Sequence, residues 1–223
     1  MIKKLAAFAI CAVFSYSVFL FANPKQEKMP KSFVDVQTVI PNAYYDIRYF
    51  STNNFVGAKV DGYNAPKCFL TKKAATALAG VETELEQFGF KLRLFDCYRP
   101  QMAVDHFIRW AADTKDTKTK ARHYPNVDKG NLFNGYIAAK SGHTRGSVVD
   151  LTIDNLDMGT SYDFLGEQSN TAYPKISKQA GINRLMLKAI MEKHGFENYD
   201  KEWWHYKLKK EPYPKKYFNF PVE

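Results

Sequence analysis

A chain of 223 residues, 45% hydrophobic and 25% charged, has the make-up of one globular domain with room for a real core, which excludes disordered and fibrous classes. The formal charge is +9, but the lysines are scattered, as in Lys115, Lys118 and Lys120 or Lys207, Lys209 and Lys210. There is no basic stripe interleaved with aromatics, so the charge reads as solvated surface and no nucleic-acid partner is expected.

The chain opens with Lys3 and Lys4, an almost unbroken apolar run from Leu5 to Ala22, and then Pro24. That is the layout of a secretory signal peptide over residues 1–22, with an uncleaved membrane anchor as the alternative. Export to the periplasm or the extracellular space is expected. Loss of the leader removes two lysines and no acid, leaving 30 basic against 23 acidic residues, or +7. No second long apolar run follows, so residues 23–223 read as one domain without a further span. Cys11 lies in the leader, and Cys68 and Cys97 remain. An even pair in an oxidising compartment reads as a disulfide; two buried free thiols are the alternative.

Residues Phe33–Tyr49 are rich in Val, Ile and Tyr around Pro41-Asn42, which predicts short strands about a turn. Phe55–Pro66, with Gly57 and Gly62, is a loop. Thr71 caps a helix with Ala74, Leu78, Val81, Leu85 and Phe88 on its inner face, and Gly89 stops it. Phe90, Leu92 and Leu94 alternate with Lys91 and Arg93 as a half-buried strand. Pro100 suits the first turn of the next helix, which reaches Ala112 with Ala103, Phe107 and Trp110 inward. Asp113–Asn134 is polar and reads as a long loop, Ser147–Ile153 as a strand, and Asp154–Lys178 as irregular chain. A helix over Ile182–His194 ends at Gly195, and the aromatic, proline-bearing tail is expected to wrap the surface. Helices and strands mix without regular alternation, so the fold class is α+β.

Two places carry unusual polar residues. Ser141-Gly142-His143-Thr144-Arg145-Gly146 leads into a strand whose Asp150 stands among apolar neighbours, and a lone buried carboxylate needs a partner. Glu202-Trp203-Trp204-His205 frames a Glu and a His with two tryptophans. His143, Asp150 and His205 supply the three protein ligands of a catalytic zinc, and Glu202 the carboxylate that handles the water's proton. An ideal strand would turn Glu202 and His205 to opposite faces, so this reading requires a bend, bulge or helical turn at Trp203-Trp204. Blander readings remain: His143 as a loop histidine, Asp150 satisfied by Arg145 or a backbone amide, Glu202 as a surface acid beside Lys201. The other histidines need no special role: His106 belongs to a helix interior or edge, His123 to a polar loop, and His194 to a helix C-terminus that favours a cation.

The segments Asp96-Cys97-Tyr98-Arg99-Pro100, Ser141 through Thr152, and Glu202 through Tyr206 closely resemble the zinc D-Ala-D-Ala dipeptidase family, which includes the dipeptidase of vancomycin resistance. The resemblance runs from Tyr49 to the tail at Tyr217-Phe218-Asn219-Phe220-Pro221-Val222. It implies an α+β fold with a central antiparallel sheet and flanking helices. It also implies one zinc per chain on His143, Asp150 and His205, with Glu202 as catalytic base and Arg99 stabilising the transition state. Tyr49, Ser141 and Asp163 match the substrate contacts, Ser141 for the carboxylate and Asp163 for the ammonium of a small zwitterionic dipeptide. Trp203 and Trp204 read either as pocket walls or as core. Two other readings of the resemblance stand beside this one: a D,D-carboxypeptidase acting on peptidoglycan stems, and a non-catalytic wall-binding module.

Overall fold

The computed structural model describes residues 27–223; the leader expected over residues 1–22 lies outside the described residues. Five strands form the central sheet: β2 (Tyr44–Tyr45), β4 (Leu92–Asp96), β5 (Val148–Ile153), β6 (Phe196–Asn198) and β7 (His205–Leu208), in the order β2-β4-β5-β7-β6. A separate antiparallel pair joins β1 (Phe33–Asp35) to β3 (Phe69–Thr71). The class is α+β. The expected antiparallel sheet needs one amendment: β2 runs parallel to β4, and the other pairings are antiparallel. All six residues of β5 are buried, because β4 and β7 cover both its edges and packed side chains cover both its faces.

Among the described residues four helices complete the fold: α1 (Lys72–Glu86), α2 (Gln101–Ala112), the short α3 (Lys120–His123) and α4 (Lys178–Lys193). Thr71 caps α1 by accepting from the Ala74 amide. The helix ends at Glu86 rather than at Gly89, and Phe88, expected inside, is 71% exposed. Helix α4 starts earlier than its apolar spacing indicates, because Ser177 caps it through the Ala180 amide. The polar stretch 113–134 is not structureless: it holds α3 and a 3-10 turn at Lys129–Phe133.

The tail is core rather than wrapping. Phe218, Phe220 and Val222 are buried, Phe220 stacks on Tyr98 at 4.0 Å, and the Tyr98 hydroxyl bonds both the amide and the carbonyl of Phe220. The chain end thereby braces the turn after β4. A Cys68–Cys97 disulfide, with Cα atoms 5.2 Å apart, ties the same turn to the start of β3. Among the described residues no helix is long and apolar enough to cross a membrane.

Candidate active site

Strand register alone gathers three of the polar groups. Asp150 on β5 lies opposite Asp96 on β4 and opposite His205 on β7. His143 arrives from the 3-10 turn Gly142–Arg145 just before β5, whose cap Ser141 accepts from the His143 amide at 3.3 Å. Gly146 closes that turn at φ +78°, where a Cβ would stand 2.1 Å from the Phe33 ring, so the position takes no side chain.

His143 Nδ1 sits 2.8 Å from the Cys97 carbonyl, which accepts only; Nδ1 therefore carries the proton and Nε2 keeps its lone pair. His143 Nε2, Asp150 Oδ1 and His205 Nδ1 lie within 4.8 Å of one another. The carboxylate oxygen is 3.3 Å from the first nitrogen and 3.1 Å from the second, yet it is buried and accepts no well-formed hydrogen bond. Three donor atoms aimed at a common point, one of them an orphaned anionic oxygen, fit a cation that favours nitrogen and oxygen ligands. Arg145, the bland partner for Asp150, instead pairs with Glu211 at 2.9 Å. Burial alone would raise the Asp150 carboxyl, but the two imidazoles outweigh it and hold it well below the usual range.

The sharp turn that the zinc reading requires is present. The His205 amide donates to the Glu202 carbonyl at 3.2 Å, so the two residues lie one turn apart and share a side. Glu202 Oε2 is 3.4 Å from His205 Nδ1. The carboxyl is 14% exposed, far from a surface acid, and burial pushes its pKa up to about 7. Arg99 follows β4, its Nε and Nη2 on Asp96 Oδ2 at 3.0 and 2.9 Å and its Nη2 3.7 Å from Asp150. The guanidinium lies over the Tyr49 and Phe107 rings at 5.1 and 5.0 Å. It is thus held on several sides.

Deeper in the cleft, Asp163 Oδ1 accepts from the Tyr49 hydroxyl at 3.0 Å, while Oδ2 is buried without a partner. Burial, reinforced by the charge of Asp150, raises the Asp163 carboxyl well above its ordinary value. Tyr49, Arg99, Ser141, His143, Asp150, Asp163, Glu202 and His205 all line one cleft of about 260 Å³. All eight catalytic, metal and substrate positions singled out in the sequence therefore meet in one place. Trp204 also lines it, whereas Trp203 turns away and donates to Thr160 Oγ1 at 2.8 Å.

Sequence reasoning missed four contributors. Asp96 is fully buried and holds Arg99; the lone-acid argument used for Asp150 applied to it equally. Tyr63 donates to Asp96 Oδ1 at 2.5 Å, and Tyr162 donates to Asp150 Oδ2 at 3.0 Å with its oxygen 3.1 Å from the Tyr49 hydroxyl; neither had a local signal. His123, set aside as a loop residue, is buried and donates from Nδ1 to the Asp163 carbonyl at 2.9 Å. His106 pairs with Asp61 at 3.1 Å and His194 with Glu84 at 2.9 Å, both away from the cleft.

A buried three-donor cluster beside an unligated carboxylate and a fixed guanidinium is the equipment of a metal-dependent hydrolase. Residues 29–223 match the Peptidase_M15 family model, described as D-ala-D-ala dipeptidase. Over 201 residues the chain is 41% identical to D-alanyl-D-alanine dipeptidases of Enterococcus faecalis and of Streptomyces coelicolor, covering 87% of this chain and 100% of each relative. It is 32% identical to that of Escherichia coli over 180 residues, 78% of this chain and 83% of the relative. A solved zinc-bound vancomycin-resistance D,D-pentapeptidase superposes with a TM-score of 0.42 at 14% identity, over 66% of this chain and 76% of the other. The chain belongs to the D-Ala-D-Ala dipeptidase family of metallopeptidases.

Proposed function

We propose that the protein hydrolyses free D-alanyl-D-alanine to D-alanine in cell-wall metabolism, with one zinc ion per chain. The observation that carries this reading is the convergence of His143 Nε2, Asp150 Oδ1 and His205 Nδ1 beside Glu202 and Arg99. The full-length likeness to D-alanyl-D-alanine dipeptidases supports the substrate. The ion would sit on those three ligand atoms. When bound, it polarises the scissile carbonyl and makes the attacking water more acidic.

The protein's own groups do the rest. Glu202 accepts the proton of the attacking water and returns it to the leaving amine, a task suited to a carboxyl whose pKa lies near neutrality. The Arg99 guanidinium, already aligned by Asp96, stabilises the negative charge that grows on the carbonyl oxygen. Asp163, with its free Oδ2, pairs with the substrate ammonium, helped by Tyr49. Ser141 bonds the carboxylate end. The apolar leader and the Cys68–Cys97 bridge support export of the protein, since disulfides persist in oxidising compartments.

Asp163 makes the reading selective. A longer peptide presents an amide where the free ammonium would stand, leaving Asp163 unpaired in a buried site, a loss of about two to four orders of magnitude in specificity. The test compares kcat/KM on free D-Ala-D-Ala with kcat/KM on a stem pentapeptide ending in the same dipeptide. A large preference for the free dipeptide is expected. Equal rates would overturn the dipeptidase reading in favour of a D,D-carboxypeptidase.

A further inference from the structure

Asp163 sits at φ +58°, in the left-handed region that a residue with a side chain rarely occupies. Such a conformation persists only where the surroundings over-determine it. The loop from Asp157 to Asn170 is held from two directions. On one side, α4 presents Arg184, fully buried, whose hydrogen bonds all go to backbone carbonyls: Met158 at 2.7 Å, Gln168 at 2.9 Å and Asn170 at 2.7 Å. Its neighbour Asn183 donates to the Asp157 carbonyl at 2.7 Å. On the other side, α3 presents His123, whose Nδ1–H donates to the carbonyl of Asp163 itself, and the Leu165 amide returns a bond of 2.6 Å to the His123 carbonyl.

This is more anchoring than a surface connection needs, and it has a direction. A guanidinium with its donors set in a fork fixes three carbonyls at both ends of the loop, while the imidazole fixes the one peptide whose conformation is strained. Asp163, on the loop these bonds hold, lines the cleft with its Oδ2 buried and without a partner. Burial favours the neutral form of His123. Neutral or charged, Nδ1 donates to a carbonyl, so the contact holds across pH.

We propose that His123 and Arg184 are positioning residues for amine-end recognition, clamping the 157–170 loop so that the Asp163 carboxylate meets the substrate ammonium. The proposal rests on the role given to Asp163 above. It assigns part of the preference for a free amino group to residues that never touch substrate.

The test uses the full chain with zinc, and the variants His123→Ala, His123→Asn and Arg184→Lys. Asn places an amide donor near the position of Nδ1. The readouts are kcat and KM on free and N-acetylated D-Ala-D-Ala, and hydrogen exchange of the 157–170 amides. His123→Ala should raise KM for the free dipeptide about tenfold, change kcat only a few-fold, and cut the preference over the acetylated substrate by a similar factor. Exchange should quicken in 157–170 and not in β5. His123→Asn should restore both, and Arg184→Lys should behave as a milder His123→Ala. In an Asp163→Asn background, His123→Ala should add no further loss of preference, since both act through one carboxylate. Equal losses on both substrates, or additive losses with Asp163→Asn, would overturn the clamp. If wild type shows no preference for the free amine, the dipeptidase reading falls instead. Exchange in 157–170 then decides the clamp alone: quickened in His123→Ala it stands, unchanged it is refuted.

Discussion

Arg99→Ala separates catalysis from stability in one variant. Asp96 accepts a hydrogen bond from Arg99 Nε at 3.0 Å, has Nη2 of the same guanidinium at 2.9 Å, and is fully buried. Breaking a buried ion pair by removing one partner costs about 3–5 kcal/mol, because the other charge is stranded. The loss here should fall at the lower end, about 3 kcal/mol, since Tyr63 still donates to Oδ1. Burial also already raises the Asp96 carboxyl, so it takes up a proton readily. In a chain of this size that corresponds to a fall in Tm of roughly 6–12 °C. Turnover should fall by about 10²–10³, the usual cost of one preorganised donor to a developing oxyanion, and mainly in kcat. Adding Asp96→Asn to Arg99→Ala removes the stranded charge. The double variant should regain most of the lost Tm and none of the lost kcat. The assays are a thermal melt and D-alanine release on wild type and the two variants. Recovery of activity alongside Tm would refute the reasoning, because it would mean that Arg99 serves only to neutralise Asp96. A pure rise in KM would do the same in another way, by making Arg99 a substrate-binding group.

Three further predictions follow from the same geometry. Glu202→Gln should lower kcat by several orders of magnitude while one zinc per chain stays bound, as measured by elemental analysis; loss of the metal instead would make Glu202 a ligand. In wild type, kcat/KM should fall as pH drops through a midpoint at or below about 7: the base works ionised, burial raises its pKa to about 7, and a bound cation lowers it from there. A limb at the same midpoint in the residual activity of Glu202→Gln would assign it to another group. Replacing Cys68 and Cys97 with Ser opens a loop of 29 residues, which the chain-entropy model values at about 3–4 kcal/mol of stability; a denaturant titration showing no change would contradict that figure.

Much of the site was legible because chemistry constrains it locally. Asp150 in an apolar strand, and Glu202 with His205 astride two tryptophans, are costly placements that call for partners. The turn that brings Glu202 and His205 to one side follows from requiring both in one site, and the His205–Glu202 backbone bond supplies it. What escaped depends on residues distant in sequence. Tyr63 and Asp96 are 33 residues apart, and Tyr162 reaches Tyr49 across 113. No periodicity encodes such meetings. The parallel edge strand Tyr44–Tyr45 is only two residues long, too short to carry a pattern. The tail misled because its prolines mark irregular chain, and irregular chain is usually superficial. Phe218, Phe220 and Val222 bury themselves against Tyr98, Phe33 and Tyr63 without forming any long element. His123 was hidden for the converse reason: its polar neighbours face solvent while its ring points inward to the Asp163 loop.

The proposed dipeptidase activity rests on a single metal ion held by His143, Asp150 and His205. The most direct test strips the purified protein with a chelator, removes the chelator, and follows hydrolysis of free D-Ala-D-Ala during stepwise addition of zinc. Activity should be absent at the start, rise in proportion to zinc, and level off at one equivalent per chain, while His205→Ala stays inactive throughout. Full hydrolysis by the stripped protein, or no hydrolysis at any zinc level, would contradict the account.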